Sequence, residues 1–261
     1  MKIAVDYQSA EGRRTGLGVY TENLVAAMRE EAPDTEFLLY KTGTDRDLGA
    51  AERMVWESFA IPVRTLGDRP NVVFRPAFAP AVWSPVPQVV TIHDLIGRIF
   101  PRNLPPGARF YWSTWLPFCV RRARAVLANS ECTRRDIERF LGIPASRVRV
   151  VLEAPGKAFA PGDRADAAAR LSQRFGLGTP FFITVGTLEP RKNLPRLLRA
   201  FALYRKSAPD GARLALAGKS GGQEPELRRL AEELGIAEEV RFLGYVTDAE
   251  LNLLYNAALG Y

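Results

Sequence analysis

The sequence predicts an α/β protein of two successive units, each a mostly parallel sheet covered by helices. Three observations carry that expectation. Short β-branched and apolar runs alternate with helical stretches along the whole chain, as strand–helix–strand units do. One proline- and glycine-rich stretch, EAPGKAFAPGD, interrupts the alternation after Leu152. Both units open with the same device, a strand running through a glycine-bearing loop into a helix.

The elements follow in order. KIAVDY is a strand, QSAEGRRTGLG a loop, and the next stretch a helix with Val19, Leu24 and Met28 in reach of one face. EFLLYK, NVVF and QVVTIHD read as further strands. Residues 104–124 have helical character, interrupted at Pro117. AVLANS is a buried strand ending in polar residues, Ser130 caps the helix CTRRDIERF, and RVRVVLEA is another strand. Beyond the break come helix 164–175, strand FFITVG, helix 194–207, strand RLALAG, helix 224–235, strand VRFLG and helix 247–258. The boundaries are therefore a first domain over 1–153, a linker over 154–163 and a second domain over 164–261. Three strands make a small doubly wound sheet, so the second domain is expected to be incomplete and the chain to be cut within it.

Composition narrows the class. A chain of 261 residues that is 47% hydrophobic can bury real cores, and 25% charged residues argue against wholesale disorder. The opening MKIAVDYQSAEG has too short an apolar run for a signal peptide, and no later run approaches a membrane span. Cys119 and Cys132 read as small core hydrophobes in a reducing compartment, which places the protein in the cytoplasm. Most of the +7 net charge lies in the first half, and no acidic residue interrupts Asp94 to Glu131 while six arginines fall there. Such a basic face suits phosphates, anionic lipid headgroups or nucleic acid. Nucleic acid is disfavoured, because no RNP-like, helix-turn-helix or zinc pattern accompanies the charge. The stretch RFYWSTWLPFCVRRAR fits a core helix with a basic outer face better than a membrane-surface helix. Peripheral contact with the inner face of the membrane through 98–124 stays open.

Three stretches carry the chemistry. In VGTLEPRKNL a strand leaves through Gly186 and places Arg191 and Lys192 at the mouth of a helix with Asn193 as N-cap. Two cations beside free helix N–H groups suit a phosphate or diphosphate beyond the carboxyl end of a strand. The alternative is a pair of solvated cations, one bound to Glu189. In TGLGVY, Gly16 and Gly18 let the backbone approach a ligand. A dinucleotide fingerprint fails here, because position 21 is threonine and the loop from Tyr7 to Gly16 is too long. His93, the only histidine, ends the strand VTIHDL beside Asp94. One histidine and two separated cysteines give no metal spacing, and no Asp-x-Asp pair is placed to hold a Mg²⁺–diphosphate.

Together TGLGVYTENL, TIHDL, ANSECTRRDI, VLEAPGKAF, VGTLEPRKNLPRLLRAF and VRFLGYVTDAEL resemble retaining glycosyltransferases of the GT-B fold, glycosyltransferase family 4, and its mannosyltransferase-like members above all. The resemblance implies two Rossmann-like domains facing across a cleft, the first holding the acceptor and the second a nucleotide-sugar. It assigns Arg191 and Lys192 to the donor diphosphate, and Gly16 and Gly18 to a loop approaching the donor phosphates. It places His93 close to the transferred sugar, Gly186 and Thr187 in the phosphate loop, and Gly244, Tyr245 and Val246 in the turn that meets the base. It implies no cofactor and no metal, GDP-mannose as the favoured co-substrate with UDP-sugars open, and a glycan or lipid-linked acceptor. Two departures stand out. Thr187 occupies a position where many members carry arginine, and the family's acidic Glu-x7-Glu region lies beyond Tyr261. These 261 residues alone are therefore expected to bind nucleotide weakly and to turn over poorly or not at all. The competing reading is a non-catalytic GT-B remnant that binds a glycan or nucleotide.

Overall fold

A computed structural model describes every residue except 12–14, 47, 78 and 208–210, together with the side chain of Asn103. The chain divides into Met1–Ala154 and Pro155–Tyr261.

In the first unit, β1 (Lys2–Asp6), β2 (Glu36–Tyr40), β3 (Val72–Arg75), β4 (Gln88–Ile92), β5 (Ala125–Ala128) and β6 (Val148–Val150) form one parallel sheet in the order β2-β1-β3-β4-β5-β6. The strand order reverses between β1 and β3. In open α/β sheets that switch point, at the carboxyl ends of the strands, is where ligands bind. Alternation along β1 feeds two cores. Ile3 and Val5 pack with Val25, whereas Ala4 joins Trp56, Ile61 and Val73 on the other face.

Helix α1 (Gly16–Glu31) buries a line of small residues, Gly18, Thr21 and Val25, with Leu24 and Met28 half-buried beside it. A stretch with no strong signal in the sequence is helical: α2 (Ala50–Val55) and α3 (Ile61–Asp68) join through a π-turn at Trp56–Ala60. After α4 (Ile96–Ile99), α5 (Pro106–Phe110) runs through a second π-turn, Tyr111–Trp115, into α6 (Leu116–Val120). Pro117 therefore does not interrupt this helix. The amide of Leu116 reaches back to the carbonyl of Tyr111, and the wider turn accommodates the ring one residue on. Tyr111, Leu116, Cys119 and Val120 are buried, as a core helix requires. Cys132 is exposed near the start of α7 (Glu131–Asp136), so only Cys119 is a core residue, and burial pushes its thiol up to about 12.

The second unit has a parallel sheet of β7 (Phe181–Val185), β8 (Arg213–Ala217) and β9 (Val240–Gly244) in that order. Its helices are α8 (Arg164–Phe175), α9 (Leu194–Ser207), α10 (Glu224–Glu233) and α11 (Asp248–Ala257). Strand β8 divides the unit by period-two alternation. Leu214 and Leu216 pack with Leu198 of α9 and Leu227 of α10. Ala215 and Ala217 pack with Leu171 of α8 and Leu254 of α11. The second half of the expected linker is fastened to this unit. Asn256 Oδ1 accepts from the amide of Gly162, Asn252 Oδ1 accepts from that of Ala160, and Asn256 Nδ2 donates to the Ala160 carbonyl.

Candidate active site

The floor of the switch point is a buried charged network. Asp6 ends β1 and Arg75 ends β3, and the Arg75 guanidinium pairs with Asp6 Oδ2 at 3.3 Å while Trp56 Nε1 donates to Oδ1 at 2.9 Å. The same guanidinium donates to the Glu57 carbonyl and to Gln88 Oε1. The Glu57 side chain lies alongside, fully buried. Its Oε1 accepts from the Tyr111 hydroxyl at 2.8 Å and the Ala79 amide at 3.2 Å, and Oε2 has no hydrogen-bond partner among the described residues. Burial pushes the Glu57 carboxyl up to about 8, only partly offset by Arg75. The neutral acid leaves one buried anion, Asp6, facing one buried cation.

Above this floor the parallel register brings together residues distant in sequence. Ile92 pairs with Ala128 and Ala128 with Val150, so the chain beyond β4, β5 and β6 emerges at one edge. Three side chains converge there. His93 Nδ1 lies 3.0 Å from Glu153 Oε1, and Asn129 Nδ2 donates to the same oxygen at 3.1 Å. His93 Nε2 lies 2.8 Å from the Pro76 carbonyl, which can only accept. Both ring nitrogens therefore face oxygen acceptors, and both bonds form together when the ring carries two protons. Thr133 Oγ1 donates to the His93 carbonyl at 2.9 Å, and Tyr20 meets the imidazole edge-on with centroids 4.6 Å apart. Asp94 does not join this cluster; its Oδ1 accepts from the Ile96 amide at the start of α4.

The glycine loop supports α1 by packing. A Cβ at Gly18 would lie 2.7 Å from the Ser9 carbonyl oxygen, so its missing side chain makes room for protein backbone. Gly16 is exposed, with nothing among the described residues within 4 Å of such a Cβ, and Thr15 caps α1 by accepting from the Gly18 amide. Residues 12–14 of this loop lie outside the described residues.

The second unit presents a different edge. Each of its three strands closes on a glycine with positive φ: Gly186 at 143°, Gly218 at 149° and Gly244 at 67°. A Cβ on Gly218 would fall 2.0 Å from the Gly186 carbonyl oxygen, and one on Gly221 2.6 Å from that of Leu188. These loops lie backbone against backbone, with the Gly218 amide donating to the Gly244 carbonyl and Leu188 to Lys219.

Arg191 and Lys192 occupy a 3-10 turn, Pro190–Lys192, ahead of α9. Arg191 is paired with Glu189, as the plainer reading of the sequence allowed. Lys192 folds over Gly186, its Cε 3.3 Å from where a Cβ would sit, and has no ion-pair partner among the described residues. Asn193 is left-handed (φ 52°, ψ 39°) and not in the extended conformation of a side-chain N-cap. Its carbonyl accepts from Arg196 and Leu197, so the helix starts by a backbone turn. The supply of free N–H groups expected at this mouth is also reduced. The amides of Leu188, Glu189, Lys192 and Asn193 all donate internally, and Pro190 and Pro195 have none. At this edge an anion would therefore meet cationic side chains more than free amides.

The sequence reasoning missed one such cation. Lys219, directly after Gly218, extends over the exposed ring of Tyr245 with Nζ 5.1 Å from its centroid. Thr187 is exposed beside Gly186, and Val246 turns its side chain into the core ahead of α11. Glu153 and Asn129 were missed as well. The available signal was that β4 and β5 run directly into polar residues, His93 and Asn129; β6 runs into Val151 and Leu152 first, so Glu153 carried no such signal. Among the described residues no three His, Cys, Asp or Glu side chains are grouped to hold a metal ion, and no helix is long and apolar enough to cross a membrane.

Two parallel α/β units with these strand-end loops define the GT-B glycosyltransferase fold. Solved structures agree. Anabaena Alr3699/HepE, crystallised with UDP and glucose, superposes with a TM-score of 0.68 over 99% of this chain and 72% of that one at 18% identity. Sucrose-phosphate synthase of Thermosynechococcus elongatus gives 0.72 over 98% and 73% at 17% identity. The chain belongs to Glycosyltransferase Family 4, which it matches over residues 14–152; residues 167–259 match the family described as Glycosyl transferases group 1. Among curated relatives, O-antigen chain mannosyltransferase B of Escherichia coli is 29% identical over 170 residues, 65% of this chain and 45% of that protein. A GDP-mannose-dependent alpha-(1-6)-phosphatidylinositol monomannoside mannosyltransferase of Mycolicibacterium smegmatis is 42% identical over 88 residues, 33% of this chain and 22% of that protein. The match to the first of these thus spans less than half of the relative's length.

Proposed function

We propose that the protein acts in the transfer of a hexose from a nucleotide-diphosphate sugar to a glycan or lipid-linked acceptor, with retention at the anomeric carbon and without a metal ion. The observation that carries this reading is the carboxyl edge of the second unit. There, three strands close on glycines, Lys192 folds over the first of them, Gly186, and Lys219 extends over the exposed Tyr245 ring. A diphosphate bound at this edge can be neutralised by the two ammonium groups. Breaking the sugar–oxygen bond places negative charge on the departing β-phosphate. Cations fixed at that point stabilise the transition state more than the ground state. Arg191 contributes once it leaves Glu189, and a nucleobase ring can stack on Tyr245.

His93 supplies orientation in this scheme. A sugar hydroxyl reaches its ring by displacing Glu153 at Nδ1, because the Glu153 side chain is half-exposed while the Pro76 carbonyl at Nε2 is fixed by β3. GDP-mannose is the favoured donor on the strength of the mannosyltransferase relatives. Peripheral membrane contact belongs to the same proposal, since Phe100, Phe110 and Phe118 are exposed among Arg98, Arg102, Arg109 and Arg122. The test is titration of GDP, UDP and GDP-mannose into the protein and its Lys192→Ala variant, with and without EDTA. Nucleotide binding weakened about tenfold or more by the substitution and indifferent to EDTA is the expected result. Equal affinity in both proteins would overturn the assignment.

A further inference from the structure

The first unit carries a second concentration of positive charge, at the opposite edge of its sheet. A cavity of about 740 Å³ opens at the amino ends of β4, β5 and β6. Trp83, Gln88, Arg121, Arg122, Arg124 and Arg147 are among the residues that line it. Gln88 is the first residue of β4, Arg124 directly precedes β5 and Arg147 directly precedes β6, whereas His93, Asn129 and Glu153 follow the other ends of the same strands. Strands of three to five residues separate the two edges by roughly 10–16 Å. The cavity is thus no part of the site described above.

Four guanidinium groups meet there, and among the described residues no aspartate or glutamate lines the cavity to balance them. Two are held in place by the fold. Arg121 donates through Nε and Nη2 to the Leu141 carbonyl, and Arg147 donates through Nη2 to the carbonyls of Arg121 and Ala123. Arg122 lies 3.6 Å over the Phe118 ring and donates through Nη1 to the Phe118 carbonyl. Each guanidinium carries five N–H donors, so all four keep donors for a ligand. The planar fork matches phosphate oxygens in bidentate fashion, and fixing it beforehand lowers the ordering cost of binding.

We propose that this cavity is a binding site for a ligand carrying two or more clustered phosphates. The charge exceeds what one phosphate can neutralise, and the volume falls within the range of small-molecule sites. The same chemistry is offered by a soluble polyphosphate and by phosphorylated lipid headgroups, and the experiment separates the two. Trp83 is the reporter, its contribution isolated by subtracting the signal of a Trp83→Phe variant.

Inorganic tripolyphosphate should change the Trp83 fluorescence saturably. The double variant Arg122→Ala/Arg124→Ala, checked for unchanged circular dichroism, should bind about tenfold more weakly or worse. The Lys192→Ala variant should bind as the unaltered protein does, so this result stands or falls independently of the donor-site reading. Displacement of tripolyphosphate by phosphatidylcholine vesicles carrying phosphatidylinositol 4,5-bisphosphate, but not by phosphatidylcholine vesicles alone, assigns the site to a phosphorylated lipid headgroup; failure of both to displace it assigns the site to a soluble ligand. Undiminished affinity in the double variant, loss of the signal in Lys192→Ala, or no saturable change at all would overturn the proposal.

Discussion

Replacing Glu57 by glutamine should make the first unit more stable at alkaline pH, because the native carboxyl resists ionisation. Its value is raised from 4.5 to about 8, with burial the largest cause. Between those limits the folded protein holds a proton that the unfolded chain has released, so stability falls as pH rises from about 5 towards 8. Glutamine keeps the acceptor at Oε1 for Tyr111 and Ala79, and its amide occupies the position of the unpartnered Oε2. The variant therefore imitates the protonated acid at every pH. Linkage with these two values gives a difference between variant and native protein that grows by about 4 kcal/mol from pH 5 to pH 9. All four tryptophans, Trp56, Trp83, Trp112 and Trp115, lie in the first unit. Urea unfolding followed by tryptophan fluorescence thus reports on that unit alone. Curves of stability against pH that run parallel for the two proteins would refute the reasoning, since Glu57 would then be ionised in both folded and unfolded chains.

Other consequences are more direct. Glu153→Ala removes one of two acceptors on the His93 ring, and Glu153→Gln keeps an oxygen there but not the charge. If the protein transfers sugar as proposed, that activity should fall in the order native, Gln, Ala, and equal activity of all three would show that the contact does not matter to catalysis. Gly97→Ala would place a Cβ 2.4 Å from the Trp112 ring, and should cost about 1–3 kcal/mol in fluorescence-detected unfolding. Leu198→Ala empties a fully buried position in the second unit and should cost about 2–5 kcal/mol, visible by circular dichroism but not by tryptophan fluorescence.

The strands were legible because each is a short apolar run bounded by turn residues, and every one of the nine read from the sequence is present. The helix pair over 50–68 was not. Its π-turn at Trp56–Ala60 inserts a residue into the period, so the apolar positions on either side fall out of phase with a 3.6-residue repeat. Single-residue signals in the site were also readable: a lone histidine at a strand end, and glycines followed by cations. Glu153 was invisible for a different reason. Its meeting with His93 depends on the register of β4, β5 and β6 across 60 residues, which local pattern does not encode. The pairing of Arg191 with Glu189 rather than with an open helix mouth likewise depends on the left-handed turn at Asn193, a conformation that the residue type permits without specifying.

The glycine-lined edge of the second unit also limits how this protein can diversify. Where a neighbouring backbone fills the space of a missing side chain, as at Gly218 and Gly221, any substitution displaces the main chain, so drift there is closed off. If this edge binds the donor as proposed, variation in donor preference falls to positions that face outward, namely Thr187, Lys219 and Tyr245. A mutagenesis library confined to those three would search nucleotide and sugar choice on an unchanged frame, whereas one that included the glycines would mostly yield chains that fail to fold.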